Sequence, residues 1–155
     1  MIISFISFLS ALLLFFTPFA SIFHIEGQPP QNLGVQNQHL APCPKTPNCV
    51  ITDSGDTEHY IEPIAYDGAM EEVRGALLKV LTVVPNTEIV AEKDNYIRIK
   101  STSKIMGFAD DTEFYFPEGQ KIIKMRASAR LGESDLGVNR RRLEQIRLAL
   151  TDFLS

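Results

Sequence analysis

A change of hydrophobic period at Pro85 is the feature that most constrains how this chain can fold. Before the proline, apolar residues recur at helical spacing with charged residues between them, which predicts an amphipathic helix that Pro85 ends. The apolar set is Met70, Val73, Leu77, Val80, Leu81 and Val84. After the proline the period is two, and residues 88–92 and 96–102 flank Lys93-Asp94-Asn95. This alternation predicts a β-hairpin.

Two more strands are predicted after the hairpin, on either side of a turn at residues 117–120. In the hairpin, alternation predicts that Ile97 and Ile99 face inward and that Tyr96, Arg98 and Lys100 face outward. Closing the later turn with Phe116 opposite Lys121 gives a register that can be checked. The pairs it predicts are Asp111 with Arg126, Glu113 with Lys124, and Phe114 with Ile123.

The remaining elements complete a mixed fold. Residues 60–66 have strand-forming side chains, but Pro63 cannot donate to a ladder, so we predict an edge strand there. Asp67 is the expected N-cap of the first helix, and a second amphipathic helix is predicted from about Arg140 to Leu154. We therefore predict the α+β class: an antiparallel four- to five-stranded sheet with two helices packed on one face. The expected order is strand, helix, four-strand meander, helix.

Composition divides the chain into three parts. Residues 1–25 contain no Asp, Glu, Lys or Arg and are predicted to be a hydrophobic signal peptide or membrane anchor. Residues 26–42 are polar, rich in Gly and Pro and aperiodic, which is typical of a flexible tether. Residues 43–155 are long enough for a single α+β domain. The domain is therefore expected to be exported or anchored to a membrane.

Two cysteines lie close together in Cys43-Pro-Lys-Thr-Pro-Asn-Cys49. In an exported protein a disulfide is the leading interpretation, and so short a loop would contribute about 2 kcal/mol. The alternative is a metal site that adds His39 and His59, but the spacing matches no familiar zinc pattern. We expect a disulfide between Cys43 and Cys49, no metal and no cofactor.

The segment 127–142 breaks a local rule. Asn139 is a plausible N-cap, with Val138 and Leu143 at the spacing of a hydrophobic staple, so a helix is expected to begin there. The three arginines 140–142 would then lie at the positive end of the helix dipole, where each costs roughly 0.3–1 kcal/mol. A conflict of this kind marks ion-paired structure or a site, and a negative group should lie nearby.

The acidic run at Asp110, Asp111 and Glu113 resembles paired carboxylates for acid–base or metal chemistry. In the predicted register Asp111 and Glu113 obtain cationic partners across the ladder and need no catalytic explanation. Asp110 instead shares a face with Phe114, opposite the small Ala127. A carboxylate there would be costly unless it is paired, and a bulge near residue 107 would turn it outward.

Three blocks together resemble a known family. They are Cys-Pro-x-x-Pro-Asn-Cys-Val at 43–50, Gly-Phe-x-Asp-Asp-x-Glu-Phe at 107–114, and Ser-Ala-Arg-x-Gly-x-Ser-Asp-Leu-Gly-Val-Asn-Arg-x-Arg at 128–142. Their order and content resemble the family catalogued as domain of unknown function 1499, over about residues 42–154. The resemblance implies a small domain, often exported or membrane-tethered, without an established activity. It carries no catalytic residues over to this chain.

Three functions fit these residues. The first is a non-catalytic structural or interaction module, in which an ion-pair network pins the last helix to the sheet. The second is a site for a small anion or an anionic lipid headgroup at the Arg130/Arg140 patch. The network and the patch draw on the same candidate residues, which are Arg130, Asp135, Asn139, Arg140, Arg142 and Asp110.

The third is a hydrolase-like enzyme using Asp110 or Asp135 with Ser128 or Ser134, although no nucleophile elbow or nucleotide-binding motif is present. A net charge of −4 argues against nucleic acid as a partner. The expected partners are a membrane or membrane protein, or a small anionic ligand. The sequence does not specify the oligomeric state.

Overall fold

An antiparallel sheet carries both helices on one face. The computed structural model describes residues 25–155, and the prediction of a signal peptide or anchor falls, apart from Ile25, outside the described residues. The elements are β1 (Cys49–Ile51), β2 (Ile64–Ala65), α1 (Met70–Thr82), β3 (Thr87–Lys93), β4 (Tyr96–Thr102), β5 (Ala109–Tyr115), β6 (Ile122–Ala129) and α2 (Val138–Leu154). No helix between residues 25 and 155 has the length and apolar character needed to cross a bilayer.

The strand order is β1-β6-β5-β4-β3, and β2 pairs with β6 beside this path. The meander from β3 to β6 and the α+β class are as predicted. Pro63 lies just before the two-residue β2, which is shorter than the edge strand predicted over 60–66. β1 was not predicted, because a strand of three residues is too short to show a period. Its first residue, Cys49, also ends the loop from Cys43 to Cys49, which we call the cysteine loop.

The core fills the space between the helices and the sheet. From the sheet, Ile97 and Ile99 face this core as predicted, and both are fully buried. Burying each such side chain contributes about 1.5–3 kcal/mol. The helices bring α1 residues Val73, Ala76, Leu77, Val80 and Leu81 and α2 residues Leu143, Ile146 and Leu150. α1 ends at Thr82, ahead of Pro85, while its N-cap is Ala69 rather than the expected Asp67.

The predicted register between β5 and β6 is wrong by two residues. Glu113 lies opposite Arg126, Asp111 opposite Ser128, and Phe114 opposite Met125. The turn is wider than predicted, because Phe116 leaves the ladder and donates its N–H to the Asn95 carbonyl (2.9 Å). A slip of two residues keeps every side chain on its predicted face but changes its partner.

The second face of the sheet is covered by residues 25–44, which we call the strap. The backbone N–H of Gly34 donates to Glu113 (2.6 Å), and Glu26 forms ion pairs with Lys100 and Arg130. Leu40 is buried against β-sheet side chains that include Tyr96 and Tyr115. Residues 26–42 therefore form a layer of the fold, which differs from the flexible tether that their composition predicts.

The predicted disulfide is confirmed. Cys43 and Cys49 are joined, with Cα atoms 5.6 Å apart. Cys49 begins β1, so the bond ties the end of the strap to the edge of the sheet. The metal alternative for this segment is excluded for the two thiols, since both sulfurs are used in the bond.

Candidate functional site

The six candidate residues do not form one constellation. Asp110 and Asp111 are neighbours on β5, so alternation sends their side chains to opposite faces. The helix face holds what we call the helix-start cluster, Asp110, Asp135, Asn139 and Arg142. The strap face holds the strap-side cluster, Asp111, Glu113, Arg126 and Arg130. Arg130 is thus separated from Asp110 by the sheet itself.

Asp135 is the negative group that the arginine-rich helix start was expected to need. Its carboxylate accepts the backbone N–H groups of Gly137 (2.9 Å) and Asn139 (2.8 Å). These are orphan donors at the first turn, and a carboxylate there also complements the helix dipole. The helix begins at Val138 with Gly137 as its N-cap, so the prediction that Asn139 is the cap is wrong.

Asn139 instead lies fully buried inside the cluster. Its amide donates to the Asn48 carbonyl (3.3 Å), and its Oδ1 accepts from the guanidinium of Arg142 (2.7 Å). Asn48 in turn donates to the Gly132 carbonyl. Asn139 therefore links the helix start to the segment beside β1, and a buried amide must be bonded in this way to avoid a penalty of roughly 1–3 kcal/mol.

Asp110 is paired as its interior position requires. Arg142 donates to its Oδ2 at 2.8 Å, and both side chains are mostly buried. Burial raises the pKa of Asp110, and the hydrogen bond and charge of Arg142 only partly offset this effect. The pair therefore stabilises the fold chiefly by avoiding an isolated buried carboxylate.

The other two arginines of the triplet bind backbone oxygens. Arg140 donates to the carbonyls of Tyr60 (2.7 Å) and Glu58 (2.8 Å), which ties α2 to the loop before β2. Arg141 donates to the Leu136 carbonyl (2.8 Å) and is otherwise exposed. Each member of the triplet is thus a donor to an acceptor within the domain.

On the strap face, Arg130 and Asp111 form a bidentate ion pair. The Nε and Nη2 atoms of Arg130 reach the two carboxylate oxygens at 2.7 and 3.2 Å. Asp111 has no exposed surface, and Glu26 of the strap approaches the same guanidinium at 3.2 Å. The hydrogen bond to Asp111, assisted by the nearby charge of Glu26, raises the pKa of Arg130 despite its burial. This geometry is the strong, oriented form of an arginine–carboxylate contact.

Glu113 is the centre of the strap-side cluster. Its carboxylate accepts from Arg126 (3.1 Å), from the hydroxyl of Tyr96 (2.8 Å) and from the backbone N–H of Gly34 (2.6 Å). Burial, followed by the charge and hydrogen bond of Glu113, strongly raises the pKa of Tyr96. The buried carboxylate of Glu113 on β5 therefore joins β4, β6 and the strap.

Two members of this face were misplaced or missed by the sequence, Tyr96 and Glu26. Alternation correctly put Tyr96, Arg98 and Lys100 on the face away from the helices, but their description as solvent-facing was wrong for Tyr96, which is buried beneath the strap. Glu26 carried no signal, because it lies in an aperiodic segment. A surplus of charged residues at alternate positions on three adjacent strands was the available hint that this face needed a polar cover.

The hydroxyls proposed for hydrolase chemistry are not in a catalytic arrangement. The Ser128 hydroxyl donates to the Ala129 carbonyl at 3.4 Å, and the Ser134 hydroxyl accepts from the Leu136 N–H at 3.3 Å. His59 lies elsewhere, bonded to Asp56 and to the Thr46 carbonyl. Burial disfavours its charged form, but these two partners outweigh that effect and raise its pKa. The imidazole therefore braces the cysteine loop.

One open groove of the described domain lies away from the candidate acids. This groove of about 520 Å³ is lined by residues from the loop before α1 and from the C-terminal turns of α2, such as Tyr66 and Leu150. Asp110 and Asp135 lie at the opposite, N-terminal end of α2. Within residues 25–155 no group of three or more His, Cys, Asp or Glu residues is arranged to hold a metal ion.

Comparison with known proteins gives a family and no activity. The family model described as "Protein of unknown function (DUF1499)" matches residues 39–150. These residues span β1 to nearly the end of α2 and include every member of both clusters, while the strap residues Glu26 and Gly34 lie outside the match. No curated protein matches this chain.

Proposed function

Since the chain belongs to the DUF1499 family, whose description gives no activity, we propose a function from its own residues: an exported, non-catalytic structural or interaction module. In this proposal the arginine-rich segment is a lock that fastens α2 to the sheet. Binding to partners is then left to the outer surface of the domain.

The contacts of the arginines carry this proposal. Arg142 is held by Asp110 and Asn139, and Arg140 by two backbone carbonyls. Arg130 lies on the strap face, where both oxygens of Asp111 hold it, so it joins the end of β6 to β5 and not to α2. A binding site would present unused donors to solvent, whereas these donors are directed at acceptors of the protein. Buried networks of this kind are commonly structural.

Export is supported by the disulfide between Cys43 and Cys49, because such bonds persist in oxidising compartments and are rare in the cytosol. The charge-free residues 1–25 are consistent with the same route. In this proposal the domain lies outside the cytoplasm, whether that segment is removed as a signal peptide or kept as an anchor.

The anion-binding alternative has less support. The N–H groups at the start of α2 that would receive an anion are already bonded to Asp135, so a ligand would have to displace a covalently attached carboxylate. The hydrolase-like alternative is weaker still, because neither Ser128 nor Ser134 is bonded to a base.

Anion titration of the folded protein tests the lock against the anion site. Phosphate, sulfate and small carboxylates are added at matched ionic strength while the melting temperature is followed. The lock predicts no saturable stabilisation, since the N–H groups at the start of α2 and the guanidinium groups of Arg130, Arg140 and Arg142 are already bonded within the domain. Stabilisation that saturates and is lost in Arg140→Gln would refute the proposal in favour of the anion site.

A further inference from the structure

Several large apolar side chains are exposed at one end of the sheet. We call this the apolar end, and it consists of Ile105, Met106, Phe108, Leu131 and Leu136. Ile105 and Leu136 are each 84% exposed. The first three lie between β4 and β5, and the last two lie between β6 and α2. The two connections are joined by a hydrogen bond from the backbone N–H of Arg130 to the Ala109 carbonyl (3.0 Å). Large apolar side chains exposed on two neighbouring connections in this way are typical of an interaction surface.

The apolar side chains are displayed by ordered backbone. Ser103 donates to the Phe108 carbonyl (2.8 Å), Gly107 donates to the Ser103 carbonyl (3.1 Å), and the Ser103 hydroxyl accepts from the Phe108 N–H (3.0 Å). These bonds close the β4–β5 connection into a turn whose tip is Ile105 and Met106. Leu136 holds a left-handed backbone (φ 53°), which is unfavourable for leucine and still leaves its side chain in solvent.

The charge-free N-terminal segment joins the domain at this same end. Ile25 is exposed, and the next residue, Glu26, is fixed by ion pairs to Lys100 (2.6 Å) and Arg130 (3.2 Å). Gly27 then packs so closely on Leu131 that an added Cβ would lie 2.7 Å from its Cγ. The described chain therefore begins at the apolar end.

The charges around the apolar end suit a lipid surface. Lys104 is exposed within the tip itself, and Arg141 is exposed beside Leu136, whose carbonyl it binds. Glu133 is an exposed acidic residue on the same connection. Apolar residues bordered by cations are the composition with which proteins enter the headgroup region of a bilayer.

We propose that the apolar end rests on a lipid bilayer, with Ile105, Met106 and Phe108 entering the interfacial region beside the point where residues 1–24 leave the domain. The contacts of Glu26 and Gly27 would fix the orientation, because they hold the start of the described chain at the apolar end. This inference goes beyond the structural lock and does not depend on it.

Tryptophan fluorescence tests the contact directly, because the chain contains no tryptophan. Ile105→Trp and Phe108→Trp each introduce a single indole at the apolar end, and Leu148→Trp is the matched control at an exposed apolar position of α2. Each full-length variant is reconstituted into vesicles of phosphatidylcholine and phosphatidylglycerol. A melting curve establishes that each variant is folded. Lipids brominated at different depths of the acyl chain then report the position of the indole.

The proposal predicts blue-shifted emission and strong quenching at positions 105 and 108, and little quenching at 148. Quenching should be greatest with bromines near the headgroup, since interfacial residues lie about 5–10 Å into the boundary. Equal quenching at all three positions would overturn the proposal. So would a blue shift without bromine quenching, which would indicate a protein partner or a second copy, and so would a chain that does not sediment with the vesicles. None of these results would alter the anion titration that tests the lock.

Discussion

The two faces of the sheet bury charge in different ways. On the helix face, one pair, Asp110 and Arg142, lies at the margin of an apolar core and keeps some contact with solvent. On the strap face, Asp111 and Glu113 are completely buried and are held by two arginines, a tyrosine and the strap. The helix face gains stability from apolar area, whereas the strap face depends on every charge having its partner. The five predictions below run from the largest expected effect to the smallest.

Arg130→Met should be the most destabilising of these changes. It leaves Asp111 fully buried without its bidentate partner, and removing one member of a buried pair costs roughly 3–5 kcal/mol. Urea unfolding measures the loss. Arg141→Met is the matched control, because Arg141 binds one exposed carbonyl, and it should change stability by no more than about 0.5 kcal/mol. Equal midpoints for the two variants would contradict the contrast between the faces.

Arg142→Met should cost about 2 kcal/mol, less than a fully buried pair because Asp110 and Arg142 are partly exposed. Asp110→Asn should cost only about 1 kcal/mol, since the amide can still accept from Arg142 and carries no charge to bury. Unfolding in urea at neutral pH gives both values. If Asp110→Asn were less stable than Arg142→Met, the ionised carboxylate of Asp110 would contribute net stability, and this prediction would be wrong.

The same pair predicts a sign for pH dependence. The folded pKa of Asp110 is raised above its unfolded value of 3.8, so its ionised form opposes folding above the folded pKa. That penalty is relieved as the pH falls through the folded pKa. The destabilisation by Arg142→Met should therefore be smaller in acid than at neutral pH.

Removing the disulfide should affect the strap face selectively. Replacing both Cys43 and Cys49 by alanine should cost about 2 kcal/mol, the value for so short a closed loop. Hydrogen exchange should show lost protection in residues 25–48, including the Gly34 N–H bonded to Glu113, before α2 is affected. Uniform loss of protection over both faces would show that the strap and the helices unfold as one unit.

His59 should give the smallest effect, because it belongs to neither face and braces only the cysteine loop. Its folded pKa is raised above the unfolded value of 6.5. Its contribution is therefore complete below about pH 6.5 and is lost as the pH rises through the folded pKa. His59→Gln should flatten stability across that range, measured by unfolding at a series of pH values. An unchanged pH profile would show that Asp56 and Thr46 do not hold the charged form.

The sequence predicted those elements whose residues repeat. Helical spacing identified α1, and alternation identified β3 and β4 and placed Ile97 and Ile99 in the core. The partners across β5 and β6 were wrong because turn residues do not reveal that Phe116 leaves the ladder to bond Asn95. Faces follow from a period of two, but partners depend on the length of the turn.

The sequence predicted only part of the candidate site. The expected negative group at the start of α2 is present as Asp135, and Asp110 is paired with Arg142. Arg130 was assigned to the wrong carboxylates, since its partner Asp111 had been given to Arg126 by the two-residue slip. The strap could not be predicted at all, because it is held by a few separate residues, Glu26, Gly34 and Leu40, and has no period of its own.

The strap also sets the order in which this domain can fold. Glu26 is separated from Arg130 by 104 positions, and Gly34 is separated from Glu113 by 79. The strap can therefore make these contacts only after β5 and the end of β6 have been synthesised. Contacts of such long sequence separation slow folding, because loop closure must precede any gain from them. Until β5 and β6 are paired, the chain carries an uncovered row of charges. We therefore expect the strap to close late, after the strands of the meander have paired.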